Sequence, residues 1–248
     1  MENIPIQIPH HGRCVHGKAW FPETPGKHPL IIFSHGYNGS MLDFQKSAEF
    51  FACQGFVAVT ITFCGGSTED PGDYPSTCMS VLTEKEDLLA VVDAASAWEE
   101  VDSSRIILFG GSQGGLVSAL TAAELKEQVR GLILLYPALC IEDNWKEFYP
   151  SVEDMPEPLD FWGLMLGRKY AADAHILGIY DHIPEYTGPV LIMHGTDDEI
   201  VPYSYSVRAQ SLYQNAELIP FVGEHHGFTE ENNRRVDGAS AYFAHRLL

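Results

Sequence analysis

Gly110-Gly111-Ser112-Gln113-Gly114 sets a serine between glycines two residues before it and two after it, the pattern G-x-S-x-G. The pattern alone is weak, and its context gives it weight. It directly follows the apolar run RIILF (residues 105–109) and directly precedes a helical stretch. So sharp a turn holds the serine in a strained backbone conformation, and the flanking glycines relieve crowding between strand and helix. The amino end of the helix then aims its free N–H groups, that of Gln113 first, at any anion that forms beside Ser112. The Lys-Ser/Thr of a phosphate-binding P-loop is missing from the segment. A serine hydroxyl is a poor nucleophile at neutral pH; it needs a base, and the base needs an orienting carboxylate. Residues 190–193 (VLIM) run into His194-Gly195-Thr196-Asp197-Asp198, which offers an acid at the carboxyl end of a strand. Residues 216–222 run into Gly223-Glu224-His225-His226-Gly227-Phe228, which offers an imidazole at another. Residue type alone does not choose between Asp197 and Asp198, or between His225 and His226.

HGTDDEIVP (194–202) and GEHHGF (223–228) resemble the HGxxDxxVP and GxxHxF stretches of α/β-hydrolase serine enzymes of the esterase, lipase and prolyl aminopeptidase type. In that superfamily the serine, the acid and the histidine follow in this chain order. The resemblance implies a catalytic triad of Ser112, Asp198 and His226. Asp197 is then a solvated turn residue and His225 a rim or packing residue. SHGYNG (34–39) resembles the HG-aromatic-x-G loop of the superfamily, which implies an oxyanion hole of the backbone N–H groups of Tyr37 and Gln113, with His35 bracing the loop. More narrowly, SHGYNG, TFCGGS (62–67), SQGG (112–115) and LILLYPAL (132–139) are similar to segments of bacterial cinnamoyl and feruloyl esterases. In that family an insert of similar size folds over the site and holds a phenolic acyl group. Carried onto this chain, the resemblance implies a carboxylic ester hydrolase working through an acyl-enzyme on a small-molecule ester, with no metal or organic cofactor. Tyr37, Trp145 and Trp162 are the expected substrate-binding side chains, and Asp143 and Tyr170 the polar groups nominated for a phenol. Peptidases, thioesterases and lipase-like enzymes share the same machinery. An aminopeptidase would need a carboxylate in the insert to hold the substrate amine, and Glu142, Asp143, Glu153 and Asp154 are available for that. A non-enzymatic binding module usually goes with a damaged triad, whereas all three members stand here.

Elements to carry these residues are legible around them. Residues 30–33 (LIIF), 56–62 (FVAVTIT), 105–109 (RIILF), 131–136 (GLILLY) and 190–193 (VLIM) are short runs apolar on both faces, as in a parallel sheet covered by helices on both sides. Residues 216–222 predict one more strand. Helical patterns fall at 44–53, at 113–125, at 203–213, at 233–248 and on a stretch opening near Thr83, for which Thr83-Glu84-Lys85-Glu86 or Ser80 is the capping signal. The order is that of a doubly wound, mostly parallel α/β domain, an α/β-hydrolase fold by the resemblance. Residues 139–188 break the rhythm. They are interrupted by prolines and rich in aromatics, including Trp145, Phe148, Phe161, Trp162 and Tyr170. So long a stretch inside a compact domain predicts structure of its own. We read it as an inserted cap, with 1–138 and 189–248 as the core. The glycine-rich loop Cys64-Gly65-Gly66-Ser67 is expected to border the pocket.

The remaining features exclude more than they assign. With Lys+Arg 15 and Asp+Glu 34, the net charge of −19 argues against a nucleic acid or an anionic membrane face as partner. Five cysteines (Cys14, Cys53, Cys64, Cys78 and Cys140) are odd in number and widely spaced, which predicts reduced thiols used as small core residues. His10, His11 and His16 are read as solvated rather than as metal ligands, and Glu84, Glu86 and Asp87 as a solvated acidic helix start. The first residues carry neither the basic nor the apolar region of a signal peptide, and no apolar run is long enough to span a bilayer. The expectation is a soluble cytoplasmic protein, monomeric or homodimeric.

Overall fold

The structure is a computed structural model and describes residues 3–248. Its elements run in the order β1 (Asn3–His10), β2 (Arg13–Trp20), β3 (His28–Ser34), α1 (Gln45–Cys53), β4 (Val57–Thr62), α2 (Val81–Ser96), β5 (Val101–Gly111), α3 (Gln113–Leu125) and β6 (Val129–Leu135). They continue with α4 (Ile141–Phe148), β7 (Leu159–Phe161), β8 (Leu164–Leu166), α5 (Arg168–Ala174), α6 (Ile179–His182), β9 (Val190–Gly195), α7 (Ser204–Leu212), β10 (Ala216–Phe221) and α8 (Glu230–His245). Eight strands form one sheet in the order β1-β2-β4-β3-β5-β6-β9-β10. From β4 to β10 every neighbouring pair is parallel, while β2 pairs antiparallel with β1 and with β4.

Alternation along each central strand explains why those runs are apolar throughout. Leu30 and Ile32 of β3, Leu108 of β5, Leu132 and Leu134 of β6 and Ile192 of β9 enter one core, shared with Leu88 of α2, Leu116 of α3 and Ala209 of α7. Ile31 and Phe33, Ile107 and Phe109, Ile133 and Leu135, and Leu191 and Met193 enter the other, closed by Phe51 of α1 and Phe243 of α8. Successive side chains point to opposite faces, so a strand buried on both sides needs an apolar residue at every position.

The hairpin β1–β2 was not expected from the sequence. Pro5 and Pro9 interrupt the pattern of β1, and proline is tolerated there because β1 is the edge strand. The hairpin is tied to α2 by Arg13, whose Nε donates to Asp87 Oδ1 at 2.7 Å, and by His10 Nε2, 2.6 Å from the same oxygen. Two of the expected solvent exposures are not found. His10 is not solvated, and of the acidic run only Glu86 faces solvent. Glu84 and Asp87 are buried, 1% and 0% exposed. They share a helix face with Leu88 and Val91, so the period of the helix carries them into the core. Ser80 is the N-cap of α2, its hydroxyl accepting from Thr83 N–H. All five cysteines are free, but only Cys64 and Cys140 are buried; Cys53 and Cys78 are exposed, so the core role expected for the thiols holds for two of them.

Residues 139–188 leave the sheet after β6 and return at β9. They carry α4, the two-stranded hairpin β7–β8, α5 and α6. Trp145, Leu164, Leu166, Tyr170 and Tyr186 pack into the same core as α2 and α3. Polar ties hold the segment down: Ser80 Oγ donates to Asp173 Oδ2 (2.5 Å), and Tyr186 OH donates to the Val129 carbonyl (3.1 Å).

Candidate active site

Ser112 stands between the last residue of β5 and the first of α3, with φ 52° and ψ −121°. A side chain other than glycine at positive φ is strained and persists only where its surroundings over-determine it. Here Ser112 N–H donates to the Leu135 carbonyl (2.9 Å), and its own carbonyl accepts from Gly115 (3.0 Å) and Ala138 (2.9 Å). The two glycines of the motif exist for lack of space. A Cβ on Gly110 would run into the backbone of Gly114, and one on Gly114 into the carbonyl oxygens of Ser34 and His35. The loop after β3 therefore lies against the turn, and a Cβ built on Gly36 would come within 3.2 Å of Ser112 Cβ.

His226 Nε2 lies 2.9 Å from Ser112 Oγ, and its Nδ1 lies 2.7 Å from Asp198 Oδ2. The Asp198 side chain is wholly buried, that of His226 17% exposed. Asp198 Oδ1 accepts from the backbone N–H groups of Ile200 (2.9 Å) and Val201 (2.8 Å), and Oδ2 also faces His194 Nε2 at 3.1 Å. Burial alone would raise the pKa of this carboxyl. The hydrogen bonds from His194, His226 and Val201 outweigh it and hold the group below the usual carboxylate range. An ionised carboxylate only accepts, so Nδ1 of His226 carries the proton and Nε2 is free to accept from the serine hydroxyl. Asp197 is exposed, and exposed His225 pairs with Glu199 at 2.8 Å. Of each neighbouring pair, then, one member joins the chain of hydrogen bonds and the other faces solvent.

His194 was not singled out in the sequence. It ends β9 fully buried, with Nδ1 2.7 Å from Ser206 Oγ and Nε2 facing both Asp198 and the Val201 carbonyl. Both of those are acceptors, so Nε2 carries its proton and braces the carboxylate from behind. Its signal was a histidine inside an otherwise apolar buried strand. Tyr136 was also missed. It has φ 36°, and its ring meets the His226 imidazole edge to face at 4.8 Å.

Tyr37 and Gln113 border the same cavity as Ser112, and among the described residues neither backbone N–H donates to a protein acceptor. His35 is buried behind this loop. Its Nδ1 donates to the Gly36 carbonyl (2.6 Å) and its Nε2 accepts from Phe63 N–H (3.0 Å). Burial lowers its pKa to about 4, so it is a neutral brace. The Gln113 side chain is held at both ends: Nε2 donates to Glu84 Oε2 (2.8 Å), and Oε1 accepts from Tyr170 OH (2.5 Å).

Two cavities meet at Ser112. One, of about 400 Å³, is walled by Trp145, Phe148, Phe161, Trp162 and Tyr170, with Tyr37 and Asn144. The other, of about 870 Å³, has a mixed lining, with Asp43, Lys46, Arg234 and Asp237 beside Phe44, Tyr136 and Phe228. Tyr37 and Trp162 belong to both. Trp162 and Gly163 form the tip of the β7–β8 hairpin with φ 49° and 83°, the left-handed pair that a tight two-residue hairpin turn demands. The Trp162 ring is 65% exposed and stacks on Phe161 at 4.9 Å, while Trp145 is only 2% exposed. Tyr37 OH donates to the Phe161 carbonyl (2.8 Å) and ties the loop after β3 to the hairpin. Asp143 borders neither cavity and instead accepts from Tyr205 OH (2.9 Å); Asn144, one residue on, lines the aromatic one and was missed. The loop Cys64-Gly65-Gly66-Ser67 does not reach Ser112 either. It packs over Glu84, and Gly65 and Ser67 border a separate hollow beside Gly163. Among the described residues no group of three or more His, Cys, Asp or Glu is placed to hold a metal, and no helix is long and apolar enough to cross a membrane.

Residues 42–247 match the prolyl oligopeptidase family. The bifunctional esterase/perhydrolase DCH of Acinetobacter calcoaceticus is 26% identical over 258 residues, covering 85% of this chain and 88% of that protein. The uncharacterized peptidase YtmA of Bacillus subtilis is 23% identical over 238 residues, covering 91% and 86%. Among solved structures, Est1E from Butyrivibrio proteoclasticus with ferulic acid bound superposes with a TM-score of 0.85 at 28% identity, over 96% of this chain and 97% of that one. The sheet, its flanking helices and these likenesses make the chain an α/β-hydrolase of the serine esterase type.

Proposed function

We propose that this chain, which belongs to the prolyl oligopeptidase family, hydrolyses carboxylic esters of aromatic acids of the cinnamoyl or feruloyl type through an acyl-enzyme on Ser112. The observation that carries the reading is the hydrogen-bonded chain from Ser112 Oγ through His226 to Asp198, opening on an aromatic-walled cavity. Ser112 attacks the ester carbonyl while His226 Nε2 takes its proton. Asp198 fixes the tautomer and stabilises the imidazolium. The carbonyl oxygen becomes an oxyanion received by the N–H groups of Tyr37 and Gln113. The alcohol leaves with the proton from His226, and water, activated by the same imidazole, releases the acid and restores Ser112.

Residues 139–188 act as a cap that builds the acyl pocket. Its walls of Trp145, Phe161 and Trp162 suit a planar aryl group, and the wider cavity, which carries charged side chains, takes the alcohol half. The ferulic acid bound by Est1E supports an aromatic acyl group here. An aminopeptidase reading finds less support: Glu142, Asp143, Glu153 and Asp154 of the insert all lie outside both cavities, and the one acid lining the aromatic cavity, Glu199, is exposed and paired with His225. The test is a comparison of kcat/KM on feruloyl, acetyl and aminoacyl esters and on an acyl thioester. The reading expects the feruloyl ester to lead by at least an order of magnitude. A preference for the aminoacyl or acetyl substrate would overturn it.

A further inference from the structure

Glu84 is a buried acid to which the triad gives no task. It sits one turn into α2, 1% exposed, and its Oε2 accepts from Gln113 Nε2 at 2.8 Å. The opposite end of the same amide, Gln113 Oε1, accepts from the hydroxyl of Tyr170 on α5, itself 2% exposed. Gln113 is the first residue of α3, and the proposed function gives its backbone N–H a place beside the oxyanion. We infer that Glu84 and Tyr170 are positioning residues that clamp the Gln113 side chain at both ends, so that the seating of residues 139–188 on the core sets the aim of the oxyanion donor. The inference rests on the proposed hydrolase reading and deepens it.

Three features support the clamp. Both ends of the amide are engaged: Nε2 donates to a carboxyl on α2 and Oε1 accepts from a hydroxyl on α5, so the two partners fix its rotation as well as its position. The same two elements are tied independently, since Ser80, the N-cap of α2, donates to Asp173 of α5. The loop carrying Gly66 also lies close against the carboxyl, since a side chain at Gly66 would bring its Cβ within 2.8 Å of Glu84 Oε1. A site that stabilises a developing charge needs its donors held to within about half an ångström, and that precision comes from the shell behind them.

The clamp has a titratable end. Burial, with the nearby Asp87 carboxylate, pushes the Glu84 carboxyl up to about 8 against the hydrogen bond from Gln113. The titratable groups facing it are Asp87 on its own helix, Tyr170 from α5 and Tyr37 from the loop after β3. The nearby guanidinium of Arg13 is engaged elsewhere, on Asp87 and Glu86. Loss of the Glu84 proton therefore places an uncompensated negative charge behind the donor that must receive an oxyanion, and turnover falls as pH rises through that value.

The test compares the parent with Glu84→Gln, Glu84→Ala and Tyr170→Phe, measuring kcat and KM on an acetyl ester from pH 6 to 10, with fluorophosphonate labelling of Ser112 in the parent. An acetyl ester leaves the aromatic pocket empty, so effects on acyl binding stay out of the comparison. The parent kcat is expected to fall about tenfold above pH 8. Glu84→Gln, which keeps the hydrogen bond and cannot ionise, should lose that fall and recover most of the activity that Glu84→Ala loses. Glu84→Ala and Tyr170→Phe should each lower kcat about tenfold at neutral pH with KM little changed. The inference is overturned if Glu84→Gln keeps the parent's alkaline fall, or if Tyr170→Phe changes KM and leaves kcat alone. Should Glu84→Ala fail to fold, the pH profile of Glu84→Gln decides. A parent that neither hydrolyses the ester nor labels at Ser112 overturns the hydrolase reading itself; a parent that does both, beside variants matching it at every pH, overturns only the clamp.

Discussion

Asp198→Asn is the substitution whose consequence the geometry fixes most tightly. Four donors converge on this carboxylate: two backbone N–H groups on Oδ1 and two imidazole N–H groups on Oδ2. An asparagine amide offers one acceptor oxygen and one donor nitrogen. With its nitrogen turned to Ile200 and Val201 it would meet two fixed backbone donors, so it settles with its oxygen on them. Its NH₂ then faces His226 and His194. His226 must accept on Nδ1, its proton moves to Nε2, and the nitrogen beside Ser112 Oγ loses the lone pair that takes the serine proton. The wrong tautomer in such a relay costs about 10⁴ in turnover, or about 5 kcal/mol of barrier. The His194 proton also loses its charged partner, which lowers stability by about 2 kcal/mol. The assay is kcat on a 4-nitrophenyl ester at pH 7, beside a denaturant unfolding curve, with Asp197→Asn as control; Asp197 is exposed and should change kcat less than threefold. A folded Asp198→Asn enzyme within tenfold of the parent would refute the assignment of tautomer and carboxylate.

Gly114→Ala should destabilise the protein by about 3 kcal/mol or more, because the new methyl meets two backbone carbonyls that cannot give way; chemical denaturation measures it. Trp162→Ala should raise KM for an aryl acyl ester about tenfold and leave KM for an acetyl ester unchanged, since one stacking face is worth on the order of 1.4 kcal/mol. With its ring mostly exposed, that change should cost less than about 1 kcal/mol of stability. Stability should carry the Glu84 signature too. Between the unfolded carboxyl pKa of about 4.3 and the folded value of about 8, the native state holds a proton that the unfolded chain has released. This contribution is therefore present at low pH and is lost as pH rises through that window. Melting curves from pH 5 to 9 should show the parent falling relative to Glu84→Gln, and parallel curves would contradict the burial argument.

The parts of the fold legible in the sequence are those where burial on both faces leaves no freedom. LIIF, RIILF and VLIM sit within β3, β5 and β9, and residues 113–125 are α3 to the residue. The segments carrying Ser112 and Asp198 could be placed because each follows such a strand; His226 follows β10, a partly exposed edge strand, and was placed by its chain order and its local motif. What the sequence hid is of two kinds. β1 is an edge strand broken by prolines, and its pairing depends on a register with β2 that periodicity does not encode. Glu84, Asp87 and His194 look like surface chemistry by residue type. Each is buried because a partner distant in sequence satisfies it: Gln113 for Glu84, Arg13 for Asp87 and Ser206 for His194. Asp143 and Asn144 show the same limit on a finer scale. They are adjacent on α4, and helical rotation turns one toward Tyr205 and the other into the aromatic cavity.

Everything proposed about turnover depends on Ser112 carrying the acyl group. The most direct measurement is the intact mass of the protein quenched in acid during turnover of a feruloyl ester, followed by peptide mapping, in the parent and in Ser112→Ala. A feruloyl adduct is expected on the peptide containing Ser112, absent from a Ser112→Ala protein whose kcat has fallen by about 10⁶. An adduct on another residue, or a Ser112→Ala variant that still turns over near the parent rate, would contradict Ser112 as the acyl carrier.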